Sequence, residues 1–294
     1  MKPFQKYSGY VLGLIFLLSA ISKLITIEIF EQFIFSLKIL PLNSSIVLAR
    51  LVVAFELIIG LFYILNLKNR LTSIITTISL IGFTAFIIYI ETNGISDDCH
   101  CFGTTFQLSN IESIFKNIAL LIIVAFNYKK QDSQKFVAIK IIATITLSLT
   151  ISLAHHFPSH LVGIEPEIEY CKPCLTSFLE QQNLQNETKV ICFISTKCKY
   201  CKLAAQKMTV INDKVKQEDK ILYVLWDENH DASLFFNETK SAVFNSIDLN
   251  VLTFLQLTQG QMPLIVVLEK GKVIRTFRYQ DIDESFLLQF LNRK

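Results

Sequence analysis

The chain has 294 residues, of which 51% are hydrophobic and only 18% are charged, below the roughly 25% of an average soluble protein. The deficit lies in the first half, because charged side chains are sparse before residue 160 and frequent after it. This distribution excludes a uniform soluble globule, a disordered chain and a small disulfide-rich domain. A net charge of +3 is too small to indicate nucleic-acid binding.

Five apolar stretches in the first half are predicted to be transmembrane helices. Each approaches or exceeds the about 17–20 residues that a helix needs to cross the hydrocarbon core. More apolar stretches follow the first one, so we interpret it as a retained span rather than a cleaved signal peptide. The fourth is short and carries Lys116 and Asn117 near its start. The stretches are residues 8–27, 46–67, 71–91, 111–127 and 137–155.

Basic residues in the short loops predict the orientation of these helices, since loops rich in Lys and Arg stay in the cytoplasm. They precede the first span and connect the second to the third and the fourth to the fifth. The residues are Lys2, Lys6, Lys68, Arg70, Lys129, Lys130 and Lys135. Loop 92–110 and everything after residue 156 would then lie outside the cytoplasm, and the protein in the cell (inner) membrane.

The segment between the first two spans is predicted to form an amphipathic helix at the membrane surface. The apolar positions that repeat on one helical face are Phe30, Phe33, Ile34 and Leu37, and the polar positions are Glu28, Glu31, Gln32 and Lys38. Pro41 predicts the end of this helix before the second span begins.

Two ionisable residues, Lys23 and Glu56, fall well inside predicted spans. A charge in the membrane costs several kcal/mol, so it is expected to face the bundle interior and to be paired. Lys23 and Glu56 could pair with each other, or Glu56 could pair with Arg50. Such a pair could serve the bundle structurally or lie near a bound electron acceptor, and both interpretations stay open.

The second half carries a cysteine pair between a predicted strand and a predicted helix. The strand covers residues 189–196, Cys198 and Cys201 follow as a CxxC motif, and the next residues have apolar positions at helical spacing. Cys198 would lie at the helix N-terminus, where the dipole favours a thiolate, and Cys201 would resolve a mixed disulfide. A structural disulfide or half a zinc site is the alternative, but no second ligand pair follows, so no metal is predicted.

The remaining elements of this half follow the order of a thioredoxin-like domain. A buried strand is predicted at 221–226, a hairpin at 264–278 and an amphipathic helix at 283–292. The order resembles the thioredoxin family over about residues 165–294. In that family a cis proline before the third strand lies against the CxxC motif, and Pro263 matches that position. The dipeptide between the cysteines is Lys-Tyr instead of the Gly-Pro of thioredoxin, so the direction of electron flow is not implied.

A CxC pair, Cys99 and Cys101, lies in the loop predicted to face outward. The two thiols are close enough to cycle between dithiol and disulfide, and His100 between them could favour a thiolate or move a proton. A disulfide that only staples the loop is the alternative. Ser109 and Glu112 predict a capping box at the start of the next helix.

Four short motifs in the first half resemble the MauE/DoxX family of redox-associated membrane proteins. They are Ser22-Lys23-Leu24, Phe55–Gly60, Cys99-His100-Cys101-Phe102-Gly103 and Lys116-Asn117. The resemblance covers about residues 8–127 and implies disulfide formation during maturation of a periplasmic enzyme. A Gly or Arg is common in the family at the positions of His100 and Lys116. The layout also resembles bacterial vitamin K epoxide reductase homologues, which bind quinone. By analogy with them, a quinone is expected near Lys23 and Glu56.

A third cysteine pair, Cys171 and Cys174, precedes the predicted α/β domain. It could relay electrons between the other two pairs or form a structural disulfide, and a metal site with His155, His156 and His160 is a further alternative. Cys192, the seventh cysteine, falls within a predicted strand and is expected to be a buried hydrophobic residue.

The predicted fold is an α-helical membrane bundle, with a four-helix core and a fifth transmembrane helix, followed by an α/β thioredoxin-like domain. The predicted divisions are a MauE/DoxX-like membrane domain, an outward linker with a CxxC motif and the thioredoxin-like domain: residues 1–158, 159–180 and 181–294.

The predicted function is a thiol–disulfide oxidoreductase that passes electrons from extracytoplasmic client proteins to the membrane, with quinone as a possible acceptor. The seven cysteines all lie outside the cytoplasm in this topology, which favours oxidation over import of reductant. The alternatives are outward delivery of reductant, a membrane-tethered assembly or maturation factor for a secreted protein, and a small-molecule enzyme of DoxX type. The predicted partners are client thiols or disulfides and the lipid bilayer, with no nucleic acid.

Overall fold

The structure is a computed structural model that describes residues 2–94, 108–128, 137–155, 158, 161, 168–227 and 232–293. It divides into an N-terminal unit of residues 1–40 and 44–157 and a C-terminal unit of residues 158–294, to which residues 41–43 also belong. The first is helical, and the second is an α/β domain.

Six helices form the described part of the N-terminal unit. They are α1 (Lys2–Ile25), α2 (Ile27–Ser36), α3 (Leu42–Ile64), α4 (Asn69–Thr92), α5 (Asn110–Phe126) and α6 (Val137–Ala154). All five apolar stretches are therefore helical, as predicted. Four of these helices, α1, α3, α4 and α6, are long and apolar enough to cross a membrane. The fourth predicted span, α5, has 17 residues and is not among those four.

The helix α2 was correctly predicted, but its polar side is not exposed as an amphipathic helix at a membrane surface would require. Apolar and polar positions are buried alike, and Phe35, which lies off the predicted apolar face, is fully buried. Glu31 is buried because Arg50 of α3 pairs with it. The helix thus packs inside the bundle. A helical-face pattern detects an apolar stripe but cannot show that a partner neutralises the polar side.

The helices α1 and α3 approach each other closely at two glycines. A Cβ atom on Gly13 would lie 2.9 Å from the Gly60 carbonyl oxygen, and one on Gly60 would lie 2.8 Å from Leu17 Cγ. Glycine is therefore required at both positions. Small residues let membrane helices pack backbone to backbone. This contact brings together the faces of α1 and α3 that carry Lys23 and Glu56.

The C-terminal unit contains a five-stranded mixed sheet and five helices within its described residues. The elements are α7 (Lys172–Gln181), β1 (Lys189–Ser195), α8 (Lys199–Val215), β2 (Ile221–Trp226), α9 (Ala232–Thr239), β3 (Asn245–Asp248), α10 (Val251–Thr258), β4 (Leu264–Glu269), β5 (Lys272–Phe277) and α11 (Glu284–Asn292). The sheet order is β3-β2-β1-β4-β5. The strands β1, β2 and β3 are parallel, β4 is antiparallel to β1, and β5 is antiparallel to β4, so β5 runs in the direction of β1.

Helices cover both faces of this sheet. On one face α7 and α10 pack on Ile191 and Phe193 of β1 in the main apolar core. On the other face Tyr223 of β2 contacts α9 through Phe236 and donates a hydrogen bond to the Ala205 carbonyl of α8 at 3.5 Å. The strand β1 is therefore buried on both sides, which explains its continuous apolar sequence.

The strand and helix predictions in this unit hold, and the structure adds elements that were not predicted, among them α9 and β3. The strand β3 was not predicted, because its sequence Asn-Ser-Ile-Asp is polar and it is a largely exposed edge strand. The segment around Cys171, predicted as a linker or an added helix, is the helix α7, whose Phe178 and Leu179 enter the core.

Candidate functional site

The two cysteines of the second CxxC motif occupy unequal positions at the start of α8. Cys198 is the N-cap residue and is partly exposed, and its Sγ accepts a hydrogen bond from the Cys201 amide at 3.4 Å. Cys201, one turn into the helix, is fully buried, and its Sγ accepts from the Ser195 amide at 3.5 Å. Both are free thiols in the structure. This arrangement agrees with the prediction that Cys198 is the accessible member and Cys201 the inner one.

The two thiols also differ in acidity. A hydrogen bond from the Cys201 side chain, aided by the backbone amides of Cys201 and Tyr200, lowers the pKa of Cys198 to about 6 despite partial burial. Burial is the main cause that raises the pKa of Cys201 well above its usual value, and the neighbouring Cys198 adds to the rise. At neutral pH Cys198 is therefore the more readily deprotonated thiol of the pair.

The register of the sheet places Pro263 at the same end as this motif. Leu264 lies opposite Phe193 in the antiparallel β1–β4 pair, so Pro263 extends the register to a position opposite Ile194. The end of β1 is also where the chain turns toward Cys198. The Met262–Pro263 peptide bond is cis, and Pro263 is buried. A cis proline thus lies at the sheet end that carries the CxxC motif.

Several polar and aromatic residues around this motif were not predicted from the sequence. Tyr200 is exposed and packs against Tyr279, with the two rings tilted and their centroids 5.6 Å apart. Lys207 of α8 is buried, donates to the Tyr279 carbonyl at 3.2 Å and lies 3.9 Å from the centre of that ring. A lysine at a polar-looking helical position gives no sign in the sequence that an aromatic ring distant along the chain will cover it.

The pair Cys171 and Cys174 forms a disulfide in the structure. Cys171 is the N-cap residue of α7, Pro173 lies in the first turn, and Cys171 Sγ accepts from the Cys174 amide at 3.3 Å. Both cysteines are half-buried. The pair is thus disulfide-bonded at the start of a helix, which is compatible with both a relay pair and a structural disulfide.

The membrane unit contains a buried ion pair between Lys23 and Glu56. Lys23 Nζ lies 2.6 Å from Glu56 Oε1, and both side chains are almost wholly buried. Ser19 connects the two: its Oγ accepts from Lys23 at 3.0 Å and donates to Glu56 Oε2 at 3.1 Å. The pair borders a pocket that Phe83, Lys116 and Asn117 also line. Of the two pairings left open by the sequence, the structure contains Lys23 with Glu56.

A second buried pair, Arg50 with Glu31, was missed. Arg50 Nη2 lies 2.9 Å from Glu31 Oε1, and Nη1 donates to the carbonyls of Ser152 at 3.2 Å and His155 at 2.6 Å. The Ser152 hydroxyl in turn donates to the Arg50 carbonyl at 2.6 Å. Arg50 therefore joins α3 to α2 and to the C-terminal end of α6. The sequence placed Arg50 near a span but gave no sign of the end of α6 as its partner.

Some predicted residues lie outside the described part of the chain. They are the CxC segment (Cys99, His100, Cys101, Phe102, Gly103), the basic loop residues Lys129, Lys130 and Lys135, and two of the three histidines, His156 and His160. The predicted capping box of Ser109 and Glu112 is present at the start of α5. Within the described residues no group of three or more His, Cys, Asp or Glu side chains is arranged to hold a metal ion.

The fold and these sites define a class: a multi-pass membrane protein whose C-terminal α/β domain carries two close cysteine pairs. Residues 1–128 match the family model described as "Methylamine utilisation protein MauE". This match supports the MauE part of the resemblance and covers the membrane unit up to the end of α5. The chain is also 22% identical over 290 residues to the protein TlpB of Flavobacterium psychrophilum, with 78% of each chain covered. No solved structure matches the chain.

Proposed function

We propose that the protein is a membrane thiol–disulfide oxidoreductase whose reacting pair is Cys198 and Cys201. The observation that carries this proposal is the inequality of the two thiols: one partly exposed and acidic at a helix N-terminus, the other buried one turn later. The Cys198 thiolate attacks a client disulfide, or a client thiolate attacks the Cys198–Cys201 disulfide. Either route forms a mixed disulfide, and Cys201 or the second client thiol resolves it.

The architecture of the C-terminal unit supports a thioredoxin-like assignment. A CxxC motif between a buried central strand and a helix, with a cis proline at the same sheet end, is the arrangement that the resemblance implied. In this proposal Pro263 borders the groove in which the client chain lies next to Cys198. The exposed Tyr200 offers an apolar contact for that chain.

We further propose that the C-terminal unit lies outside the cytoplasm, which requires five spans. The helix α5 has 17 residues, about 26 Å at 1.5 Å per residue, and this is close to the minimum for a span. Its Leu120 and Val124 belong to the same apolar core as residues of α1, α3 and α4, so it runs within the bundle. Five spans, with the basic loops inside, place the C-terminal unit outside. We propose Cys99 and Cys101 as the next pair on sequence grounds alone.

We propose that a membrane quinone binds beside Lys23 and Glu56. The pocket there has a volume of about 40 Å³, so it must open to admit a quinone ring. Lys23, Lys116 and Asn117 bring N–H donors suited to carbonyl oxygens. A neighbouring apolar cavity of about 310 Å³ shares Phe83 with the pocket and is lined by further aromatic residues of α2 and α4. Its Ile39 and Leu48 are exposed, so an isoprenoid tail could leave toward lipid. When bound, a quinone would supply an acceptor for two electrons and two protons.

The experiment that tests this function is an alkylation trap on intact cells, with the redox state of Cys198 and Cys201 determined by mass shift. An oxidase that feeds the membrane pool should become more reduced at this pair when quinone is depleted. A pair that stays reduced with and without quinone would contradict the proposal and favour outward delivery of reductant or an assembly factor. Substitution of Cys198 and Cys201 by serine distinguishes outward delivery of reductant from an assembly factor. It should abolish the delivery of reductant, whereas an assembly factor should keep most of its function.

The proposed sidedness has its own test. In a chain whose single cysteine is Cys198, a membrane-impermeant maleimide should label intact cells. A cysteine introduced at Lys68, in a loop predicted to be cytoplasmic, serves as the matched control and should be labelled only after lysis. Labelling of Cys198 only after lysis would overturn the five-span topology.

A further inference from the structure

The two CxxC motifs of the C-terminal unit have the same local structure. Their sequences are Cys-Lys-Pro-Cys and Cys-Lys-Tyr-Cys, and each begins a helix whose N-cap is the first cysteine. The N-cap φ angles are −76° at Cys171 and −77° at Cys198. In each motif the first Sγ accepts the amide of the second cysteine, at 3.3 Å and 3.4 Å. The backbone that makes Cys198 a good nucleophile and leaving group is therefore repeated at Cys171.

The two motifs lie at the same end of the sheet. The helix α7 runs toward the start of β1, so its N-terminus is at the opposite end, where β1 stops and the chain reaches Cys198. The Cys171 amide donates to the Leu257 carbonyl in the last turn of α10 at 3.1 Å. The chain continues from α10 directly into the segment Gln259–Pro263. Cys171 thus lies beside the start of the segment Gln259–Pro263, and the end of this segment lies opposite the last residues of β1.

A shared side-chain cluster supports this placement. Cys174, Trp226 and Met262 are all partly buried against the same apolar core. Trp226 lies opposite Ser195 in the β1–β2 register, three residues before Cys198, and Met262 precedes the cis proline. Cys174 of the first motif therefore packs against the same apolar core as Trp226, which lies beside the end of β1 that leads to Cys198.

A purely structural role does not explain the disulfide between Cys171 and Cys174 well. A disulfide stabilises a fold mainly by closing a long loop in the unfolded chain, and this one spans a sequence separation of only three. The helix α7 is already held by Leu175, Phe178 and Leu179 in the core. Both cysteines are only half-buried, so an attacking thiolate can reach them.

We infer that Cys171 and Cys174 form a second thiol–disulfide exchange centre, whose partner is the Cys198–Cys201 pair of the same chain. This inference rests on the proposed function of that pair. The Cys198 thiolate attacks Cys171 Sγ, the Cys171–Cys174 bond breaks, and Cys174 leaves as a thiolate that takes up a proton. Cys201 then loses its proton and attacks Cys198 Sγ, which releases Cys171. Two electrons and two protons move from one dithiol to the other disulfide, and the steps are reversible.

The first test asks whether the Cys171–Cys174 bond exchanges at all. The full-length Cys198→Ser/Cys201→Ser variant is equilibrated in detergent with a series of reduced and oxidised glutathione mixtures, alkylated and analysed by peptide mass spectrometry. We expect Cys171–Cys174 to pass from oxidised to reduced within the series. A bond that stays oxidised in the most reducing mixture is a structural bridge and overturns the inference. This result does not depend on whether Cys198 and Cys201 act on clients.

The second test traps the exchange between the two pairs. In the full-length Cys174→Ser/Cys201→Ser variant, mild oxidation should join Cys171 to Cys198, detected as a cross-linked peptide in monomeric protein. The matched control is Cys171→Ser/Cys201→Ser, which keeps the inner Cys174 and should give at least ten-fold less cross-link. Equal yields in the two variants, or no Cys171–Cys198 peptide, would overturn the inference. Fast alkylation of Cys198 in the same samples would show that the proposed function survives such a failure.

Discussion

The membrane unit and the α/β unit bury reactive groups in opposite ways. In the bundle, Lys23 and Glu56 are different side chains that neutralise each other, with Ser19 bonded to both. In the α/β unit, Cys198 and Cys201 are identical side chains that differ because Cys201 is buried and donates a hydrogen bond to Cys198. The bundle site depends on residues 33 positions apart on two helices, whereas the thiol site is contained in one helix turn.

This difference has an energetic cause. A lone charge in a low-dielectric interior is costly, so the bundle needs both partners and a close contact between α1 and α3. A thiol is neutral when protonated, so burial of Cys201 leaves no unpaired charge and only raises its pKa. The bundle site should therefore respond to single substitutions through stability, and the thiol site through reactivity.

The largest effect is expected from breaking the ion pair in the bundle. Lys23→Met leaves the buried Glu56 carboxylate without its cation, which should lower the free energy of unfolding by about 3–5 kcal/mol. Unfolding of the purified protein in lipid nanodiscs measures this. The double variant Lys23→Met/Glu56→Leu removes both charges and should recover most of the loss. If the double variant is as unstable as the single one, pairing is not what stabilises this site.

The second effect concerns Arg50, which joins three helices. Arg50→Met removes the cation beside Glu31 and the donor to the end of α6, so amide hydrogen exchange in the last turn of α6 should become ten-fold faster or more. Hydrogen exchange with mass spectrometry measures it. Arg50→Lys is the matched control, because it keeps the charge but loses the several N–H donors of the guanidinium group. Its exchange rate in the last turn of α6 should lie between those of the wild type and Arg50→Met. Unchanged exchange in Arg50→Met would show that α6 is held without this side chain.

The third effect tests the inequality of the two thiols. The rate of iodoacetamide labelling at Cys198 should rise with a midpoint near pH 6, since its pKa is lowered to about 6, against about 8.5 for an ordinary thiol. In Cys201→Ala the midpoint should move up, because the Cys201 side chain is the largest cause of the lowering. The same midpoint in both chains would assign the low pKa to the backbone alone.

A stability change with pH follows from the same shift. The pKa of Cys198 is lower in the folded state, so its thiolate contributes stability that is complete above the ordinary thiol pKa and is lost as pH falls through about 6. The reduced protein should therefore lose this contribution on acidification, and the Cys198→Ala variant should not. Urea unfolding at pH 9 and pH 5 compares the two, and identical pH dependence would contradict the assignment.

The smallest effect is expected at Cys192. It is fully buried in β1 and burial raises its pKa, so it should not be alkylated in the native protein. Cys192→Ala removes one buried sulfur and should cost about 1 kcal/mol. The labelling midpoint of Cys198 should stay the same. Labelling of native Cys192, or a shifted midpoint at Cys198 in this variant, would mean that the third free thiol takes part in exchange.

The local sequence was enough to determine most elements and the order of the α/β unit. Apolar runs predicted five helices of the first unit, four of which are long and apolar enough to cross a membrane, and the four apolar strands of the sheet. The position of Cys198 at a helix N-terminus followed from the strand before it and the helical pattern after it. These features depend on neighbours within a few residues, and hydrophobic periodicity reports such neighbours directly. The polar edge strand β3 has no such pattern, and it forms only because β2 offers it a free edge.

Tertiary structure alone decided which polar groups meet. The sequence left Glu56 with two possible cations, placed Glu31 at a membrane surface and gave no position for Lys207 relative to Tyr279. In each case the partner is far along the chain, and burial of a charge is tolerated only where the packed fold supplies that partner. The same holds for the two cysteine motifs: the sequence shows that they are alike, but only the fold places them at one end of one sheet.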